Sequence, residues 1–180
     1  MYLAYIFKNI NINMNIICKL QHSDSVIYNT DRLKFITLNI EHKDNWIRLH
    51  KNSFLIRYLS DTNSSFSDEN SDKKFDQLLN HKTYNQDGFI CVCAVFEKET
   101  NEFIGFMDIY KISPYSNIVS FSFLVDPLQQ GKGYGTEIVR GIIRYLSQLR
   151  ESNKDLVQLE YLESQIHDDN IPSIKVMEKV

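Results

Sequence analysis

Short apolar runs bounded by polar turns recur through the second half of the chain, and they predict β-strands. The runs Phe89 to Phe96 and Phe103 to Ile112 are rich in β-branched and aromatic residues. The turn-like segment Lys98 to Glu102 separates them, so the pair predicts a hairpin. A third strand of this group is expected from Ile118 to Val125. Two more strands are expected outside the group, at Leu33 to Leu38 and at Leu156 to Ile166.

Apolar residues at steps of three and four predict helices between these strands. The clearest is an amphipathic helix with its apolar face toward a sheet, formed by Ile138, Val139, Ile142, Ile143, Leu146 and Leu149. Two short helices are expected between Trp46 and Leu59, with Asn39 as an N-cap ahead of them. Further helices are expected around Phe75, Leu78 and Leu79, and from Asn170 to Val180.

Two polar stretches interrupt this pattern. Asp61 to Asp72 lacks any periodicity, so it predicts a surface loop. Residues 1–28 form an N-terminal extension of uncertain order, because Met1 to Ile17 fits an irregular strand, a helix packed on the domain or a poorly ordered arm. Lys8 and several asparagines break up its apolar character, and it has no small-residue cleavage site, which argues against a signal peptide.

The order of these elements predicts an α/β fold. Strands that are first paired by a hairpin and later joined through a helix imply a mixed sheet covered on both faces. A length of 180 residues favours one domain, which we place at residues 29–180. A hydrophobic content of 43% is too high for intrinsic disorder. No apolar run approaches the roughly 18 residues that a membrane-spanning helix requires.

Charge and cysteine content exclude further classes. Twenty cationic and 23 anionic side chains give a net charge of −3, which argues against binding nucleic acid through phosphate neutralisation. Cys91 and Cys93 would share one face of a strand, and no second Cys/His pair stands at zinc spacing. We therefore expect Cys18, Cys91 and Cys93 to be reduced core thiols of a cytoplasmic protein, with no metal.

Three of the six glycines, Gly131, Gly133 and Gly135, fall within five residues between a strand and the strongest helix. Glycines there permit positive φ and expose successive amides, and the helix N-terminus adds donors and partial positive charge. Such a loop binds a phosphate or pyrophosphate, with Lys132 and Thr136 adding charge and a hydroxyl, or it is a flexible turn without a ligand. The spacing fits neither a Walker A loop nor the Rossmann G-x-G-x-x-G pattern.

Gln130 to Gly135 fits the pattern Q-x-x-G-x-G and, with Val125-Asp126-Pro127 before it, resembles the acetyl-CoA loop of the GNAT superfamily of acyl-CoA N-acyltransferases. Three more motifs resemble the RimJ/RimL-type subgroup, which acetylates ribosomal-protein N-termini. They are Asn29 to Phe35, Ile104-Gly105-Phe106 and Asp169 to Lys179. The four motifs occur in the family's order over residues 29–180, and the chain is identified as a member of this superfamily.

The resemblance implies a central, mostly antiparallel sheet with helices on both faces, and acetyl-CoA as cosubstrate without a metal. In this family the fourth strand splays from the fifth. The main chain of Phe123, Leu124 and Val125 would then pair with the pantetheine arm and polarise the thioester carbonyl. The pyrophosphate would lie on the amides of Gln130, Gly131, Lys132, Gly133, Tyr134, Gly135 and Thr136.

The implied reaction is direct attack of a primary amine on the thioester. Asn170 and Ser173 match family positions that contact the pantetheine arm and the sulfur end. Asn170 equally suits a helix N-cap, and Ser173 an ordinary polar position of a first helical turn. Glu163 falls where related acetyltransferases place a catalytic Glu, so we expect it to take the amine proton; the alternative is a solvated carboxylate. Glu160 would face the other side of that strand.

The chain also departs from the family. Met177 stands where many members carry a Tyr as thiolate acid, and Ser120 where the subgroup often has a Glu. Members continue past Lys179 with a last strand pair, so the C-terminus is truncated or the sheet keeps an open edge. The alternatives are therefore a catalytically inactive CoA-binding module and an unrelated α/β protein that binds ATP or NAD.

The acceptor would be a peptide or protein N-terminus, an aminoglycoside or a polyamine. Asp168 and Asp169 favour a cationic amine, although acidic residues before a helix also complement its dipole. The segments Asp61 to Asp72 and Ser113 to Asn117 would flank the acceptor cleft. We expect no nucleic-acid or membrane partner, and either a monomer or a homodimer.

Overall fold

A seven-stranded sheet forms the centre of the molecule. The computed structural model describes residues 2–8, 26–58, 68–79, 89–111, 118–151 and 161–180. The strands run across the sheet in the order β1-β7-β6-β5-β4-β3-β2. All neighbours are antiparallel except β6 and β7, which confirms the mixed sheet. The strands are β1 (Tyr2–Lys8), β2 (Val26–Asn29), β3 (Leu33–Thr37), β4 (Phe89–Glu97), β5 (Phe103–Lys111), β6 (Ile118–Val125) and β7 (Tyr161–His167).

Helices precede β4, connect β6 to β7 and follow β7. They are α1 (Lys43–His50), α2 (Ser53–Ile56), α3 (Asp68–Leu79), α4 (Tyr134–Glu151) and α5 (Ile171–Glu178). Asn39 is an N-cap as expected, since its side chain accepts a hydrogen bond from the Glu41 amide at the start of a single 3-10 turn. A second 3-10 turn, Pro127–Gln129, follows β6.

The two faces of the sheet bury two separate apolar clusters. On the α4 face, the stripe of Ile138, Ile142 and Leu146 is fully buried against the strands, as its period of 3.6 residues predicts. On the opposite face, which we call the α1–α3 face, helix residues cover Ala94 of β4 and Phe106 of β5; they are Trp46, Leu49, Leu55 and Phe75. Helices therefore lie on both faces, in agreement with the sequence.

The expected loop from Asp61 to Asp72 is wrong at its C-terminal end. Helix α3 already begins at Asp68, and its first turn contains Glu69. Polar and acidic residues are common at helix N-termini, so the polar composition at this position fits a helix start as well as a loop. Residues 59–67 lie outside the described residues.

Strand β1 comes from the N-terminal segment for which the sequence left three alternatives. It pairs with β7 over seven residues, from Tyr2 opposite His167 to Lys8 opposite Tyr161. An open edge was expected if the family's last strands are missing. Instead β1 occupies the outer edge of β7 and satisfies its backbone hydrogen bonds.

The two cysteines of β4 are free and buried on the α4 face, as the sequence predicts. Their sulfur atoms lie 3.1 Å apart. Burial raises the pKa of the Cys93 thiol well above its ordinary value, which keeps it protonated. The third cysteine, Cys18, lies outside the described residues.

Candidate functional site

Strands β6 and β7 separate partway along their length. Their parallel pairing covers Ile118 opposite Tyr161, Val119 opposite Leu162 and Ser120 opposite Glu163. Beyond Ser120, β6 continues for five residues, and β7 continues for four beyond Glu163. In the described part of the chain these continuations do not pair with each other, so a gap opens inside the sheet.

The backbone of β6 presents polar groups to this gap. In an antiparallel pair the hydrogen-bonding direction alternates from residue to residue. The Asp126 amide donates to the Ile104 carbonyl of β5 at 2.9 Å, so the even-numbered residues point toward β5. Phe123 and Val125 therefore direct their amide and carbonyl groups into the gap, while Leu124 directs its own toward β5. The side chain of Gln130 donates to the Val125 carbonyl at 3.1 Å.

The glycine loop lies at the wide end of the gap. Gly131 and Gly133 have φ of 78° and 83°, so the loop adopts the backbone conformation for which its glycines were singled out. A Cβ on Gly135 would lie 3.2 Å from Val176 of α5 and 3.4 Å from Phe123 of β6. Glycine therefore permits the first turn of α4 to approach both walls of the gap.

The segment that leads into the loop is held by a buried carboxylate. Asp126 is 3% exposed, and its side chain accepts the Leu128 amide at 3.0 Å and forms an ion pair with Arg48 of α1. The Val125-Asp126-Pro127 segment is thus fixed to the helix layer on the other face of the sheet.

The first turn of α4 is fastened by Glu137. Its carboxylate accepts hydrogen bonds from the Thr30 hydroxyl at 2.6 Å, the Arg32 amide at 2.8 Å and Nε of Arg32 at 2.7 Å. Burial alone would raise the pKa of Glu137, but these donors hold it below its ordinary value. Thr30 and Arg32 belong to the motif between β2 and β3, which the sequence had linked to the family without a structural role.

Arg32 also contacts the loop directly. Its Nη1 donates to the Lys132 carbonyl at 3.2 Å, and its guanidinium lies 4.5 Å from the centre of the Tyr134 ring. The Tyr134 hydroxyl in turn donates to Glu97 at 3.0 Å. These contacts hold both the loop and the helix start in place around the exposed amides.

The α1–α3 face of the strands beside the gap is polar. Ser120 donates to Glu163 at 3.0 Å across β6 and β7. Asp108 of β5 lies opposite Ser122 and accepts both its amide, at 2.9 Å, and its hydroxyl, at 2.6 Å. Burial raises the pKa of Asp108 to about 6, against the opposing effect of the Ser122 hydrogen bonds.

Helix α5 begins beside the gap. The Asn170 side chain accepts the Ser173 amide at 3.3 Å, so Asn170 is the N-cap of α5. Ser173 is half-buried in the first turn, and Met177 is buried in the core. The hydrogen bond accounts for the conformation of Asn170 whether or not its amide also meets a ligand.

The turn from β7 to α5 carries His167, Asp168 and Asp169, whose ligand atoms lie within 4.8 Å of one another. Nδ1 of His167 accepts the Asp169 amide at 3.2 Å and lies 3.3 Å from an Asp168 oxygen. Tyr58, which follows α2, donates to the Asp169 carbonyl at 3.4 Å. The turn is thus closed by contacts within the chain, and we assign no metal to it.

Gly135 brings three of the predicted elements together. The first turn of α4, the β6 residues Phe123 and Val125, and Val176 in the second half of α5 meet around it. Glu163 lies at the closed end of the gap. Sequence reasoning missed Asp108, although the polar positions Ser120 and Ser122 alternate with apolar ones along β6 and mark a face that needs polar partners.

Comparison with known proteins adds two kinds of match. A family model described as an acetyltransferase (GNAT) domain matches residues 32–180. Comparison with curated proteins gives no match.

Within the described residues, no helix is long and apolar enough to cross a membrane.

Several solved structures share the fold. A GNAT-family acetyltransferase from Bacillus anthracis superposes with a TM-score of 0.65 at 17% identity, covering 84% of this chain and 80% of that one. Spermidine N-acetyltransferase from Vibrio cholerae, solved with CoA and spermine, gives 0.64 at 15% identity over 83% and 80%. RimL, a ribosomal L7/L12 alpha-N-protein acetyltransferase, gives 0.65 at 17% identity over 88% and 80%.

Proposed function

The chain belongs to the GNAT acetyltransferase family, and we propose that it is an acetyl-CoA-dependent N-acetyltransferase acting on a primary amine. One observation carries the proposal: a loop with two positive-φ glycines at a helix N-terminus follows a strand that β7 does not pair beyond Ser120. Bound acetyl-CoA would supply the activated acetyl group as a thioester.

The loop is suited to a diphosphate. The amides from Gly131 to Thr136 lie at the positive end of the α4 dipole, where an anion is stabilised. The Gln130 amide instead donates to the Pro127 carbonyl at 3.4 Å. A Cβ on Gly131 would have no atom within 4 Å, so this side of the loop is open to a ligand. Lys132 is exposed and adds a positive charge beside it.

The strand edge is suited to the thioester arm. The Phe123 amide and carbonyl and the Val125 amide face the gap, where an extended amide-containing chain can complete the hydrogen bonds that β7 does not make. The Val125 carbonyl accepts the Gln130 side chain. A strand amide directed at the thioester carbonyl would stabilise negative charge that develops on its oxygen. Asn170 and Ser173 are proposed to meet the arm and its sulfur end, with Ser173 within the first turn of α5.

The amine would approach from the α1–α3 face, since α4 and the apolar side chains of β6 fill the other face. That face presents the carboxylates that could take a proton from the amine, among them Glu163. A RimJ/RimL-type acceptor, such as a protein N-terminus, or a polyamine is proposed on the basis of the sequence motifs and of Asp168 and Asp169 beside the gap.

A second candidate is a CoA-binding module without transfer activity. It is favoured by Met177, which is buried in the core where many family members have a Tyr, and by Ser120 in place of a strand Glu. This candidate shares the loop and the gap with the first, so only turnover separates the two.

Calorimetric titration with CoA and with acetyl-CoA tests the binding half of the proposal. Thiol release from acetyl-CoA, measured with spermidine, a peptide with a free N-terminus and an aminoglycoside, tests the transfer half. We expect micromolar binding, about −8 kcal/mol, and release with at least one amine. Binding without release would support the inactive module, and a folded protein that gives no heat with either coenzyme would exclude both.

A further inference from the structure

A polar row crosses three strands beside the gap. On β6, Val119, Phe121 and Phe123 face α4, so Ser120 and Ser122 face the other side. Hydrogen bonds connect Ser122 to Asp108 on β5 and Ser120 to Glu163 on β7. This face also carries the apolar cluster under α1 and α3, so burying a carboxylate beside that cluster has a desolvation cost.

Asp108 is the more constrained of the two carboxylates. Both hydrogen bonds from Ser122 end on Oδ1, which leaves Oδ2 to other groups. The Asp108 residue is half-buried rather than fully enclosed. No ion pair reaches Asp108 from the described residues, and Val92 of β4 lies opposite it on the other side. Ionisable side chains on the same face include Tyr110 of β5, Glu163 of β7, and His50 and Arg48 of α1, of which Arg48 pairs with Asp126. Cys93 of β4 lies on the opposite face.

The register places Asp108 closer than Glu163 to the gap-facing backbone. Asp108 lies opposite Ser122, one residue from Phe123, which is about 3 Å along the strand. Glu163 lies opposite Ser120, the last paired position, about 10 Å from Phe123 along the strand. A thioester held by the Phe123 amide would therefore have Asp108 beside its reacting carbon on the amine side.

We propose that Asp108, held by Ser122, is the carboxylate that takes the proton of the acceptor amine, in place of Glu163. This assignment rests on the proposed acetyltransferase function. The ammonium group transfers one proton to Asp108, and the nitrogen lone pair then attacks the thioester carbon. The C–N bond forms, the C–S bond breaks, and a second nitrogen proton goes to sulfur, which gives the acetamide and the CoA thiol. Asp108 then releases its proton to solvent.

The test compares Asp108→Asn with wild type in the thiol-release assay with the three amines. Asn keeps an Oδ1 acceptor for Ser122, so the fold should persist, and CoA binding should be unchanged. We expect kcat/KM to fall about 100-fold or more, as for loss of a general base. The acidic limb of the kcat/KM pH profile should disappear in Asp108→Asn and persist in Glu163→Gln. Asp44→Asn, at an exposed position of α1, controls for the loss of one negative charge.

Ser122→Ala adds a variant in which Asp108 itself is retained. Because the Ser122 hydroxyl lowers the pKa of Asp108, its removal should move the acidic limb to higher pH without abolishing turnover. A purely structural role of Asp108 would leave the limb where it is.

The outcomes separate the two claims. If wild type turns over and Asp108→Asn keeps both its rate and its acidic limb, the assignment of Asp108 is wrong and the acetyltransferase function stands. If Glu163→Gln alone loses the limb, the proton goes to Glu163. If wild type releases no thiol with any of the three amines, the proposed function fails, and the role of Asp108 fails with it.

Discussion

Two groups of residues beside the gap differ in how their carboxylates are stabilised, and we call them the cofactor wall and the acceptor wall. In the cofactor wall, formed by the loop Gln130 to Thr136 with Thr30, Arg32 and Glu137, the carboxylate is matched by three donors and its pKa is lowered. In the acceptor wall, formed by Asp108, Ser120, Ser122 and Glu163, Asp108 has hydroxyl and amide donors but no cation within the described residues, and its pKa is raised. A carboxylate paired with a cation, such as Glu137, stabilises the local structure. A carboxylate without a cationic partner, such as Asp108, is available for proton transfer.

Strand β6 leads into the loop of the cofactor wall and carries Ser120 and Ser122 of the acceptor wall, so a change beneath that strand should damage both walls. A Cβ on Gly105 of β5 would lie 1.9 Å from the Leu124 carbonyl oxygen, a backbone atom that cannot yield without separating the strands. Gly105→Ala should therefore destabilise the protein by more than about 4 kcal/mol, enough to prevent folding in a marginal domain. Urea unfolding followed by circular dichroism measures it.

Gly131→Ala is the matched control. Gly131 has open space around it but a φ of 78°, so Ala there should cost only about 1–2 kcal/mol of local strain and weaken CoA binding. Equal stabilities of the two variants would mean that the close contact of β5 with β6 is not what requires Gly105.

The raised pKa of Asp108 in the acceptor wall should lower the free energy of unfolding at neutral pH. The pKa of Asp108 is about 6 in the folded state against 3.8 for the free side chain, so the folded state binds more protons between these values. Stability should fall as pH rises from 4 to 6, by up to about 3 kcal/mol. Asp108→Asn should remove this fall and be more stable than wild type at pH 7.5, as urea unfolding at several pH values would record.

At pH 4, where Asp108 is protonated in the folded protein, the variant and wild type should differ little. A variant that is less stable than wild type at pH 7.5 would show that the Ser122 hydrogen bonds outweigh the burial of charge. Asp108 would then resemble Glu137, and the contrast between the walls would be lost.

The Glu137 carboxylate of the cofactor wall should raise the stability of the protein at neutral pH, the opposite of the effect expected for Asp108. Glu137→Gln loses the ion pair with Arg32 and should destabilise the protein by about 2 kcal/mol at pH 7, because hydrogen bonds to charged groups are the strong ones. The pKa of Glu137 is lowered on folding, so its contribution is present above pH 4.5 and disappears as pH falls through the folded-state value. CoA affinity by calorimetry should fall as well, since the first turn of α4 loses its anchor.

Glu99→Gln, in the exposed turn between β4 and β5, is the control for removing a carboxylate. It should change neither stability nor CoA affinity. If Glu137→Gln also leaves stability and CoA affinity unchanged, the contacts of Thr30 and Arg32 with α4 do not organise the loop.

The contrast also explains which parts could be predicted from sequence. The glycine loop and the helix after it could be recognised from sequence because their signal is local: the glycines and the helix period occupy consecutive positions from Gln130 to Leu149. The contacts of Thr30 and Arg32 with Glu137 form only in the fold. The acceptor wall depends on register between β5, β6 and β7, and nothing local pairs Asp108 with Ser122 fourteen residues away. The strand β1 was ambiguous for the same reason, since only its partner β7 determines that residues 2–8 are extended.

Asn170 offers the smallest expected effect and tests whether α5 belongs to the cofactor wall. Its side chain caps α5 through the Ser173 amide, so Asn170→Ala should cost about 1 kcal/mol of stability whatever else it does. Asn170→Asp keeps the cap acceptor but replaces the amide NH₂, which only a ligand contact would require. If Asn170 contacts the pantetheine arm, both variants should weaken acetyl-CoA binding in calorimetry, while only Ala lowers stability. If Asp binds the coenzyme as wild type does, the cap is the whole role of Asn170, and α5 contributes to the gap through packing at Val176 alone.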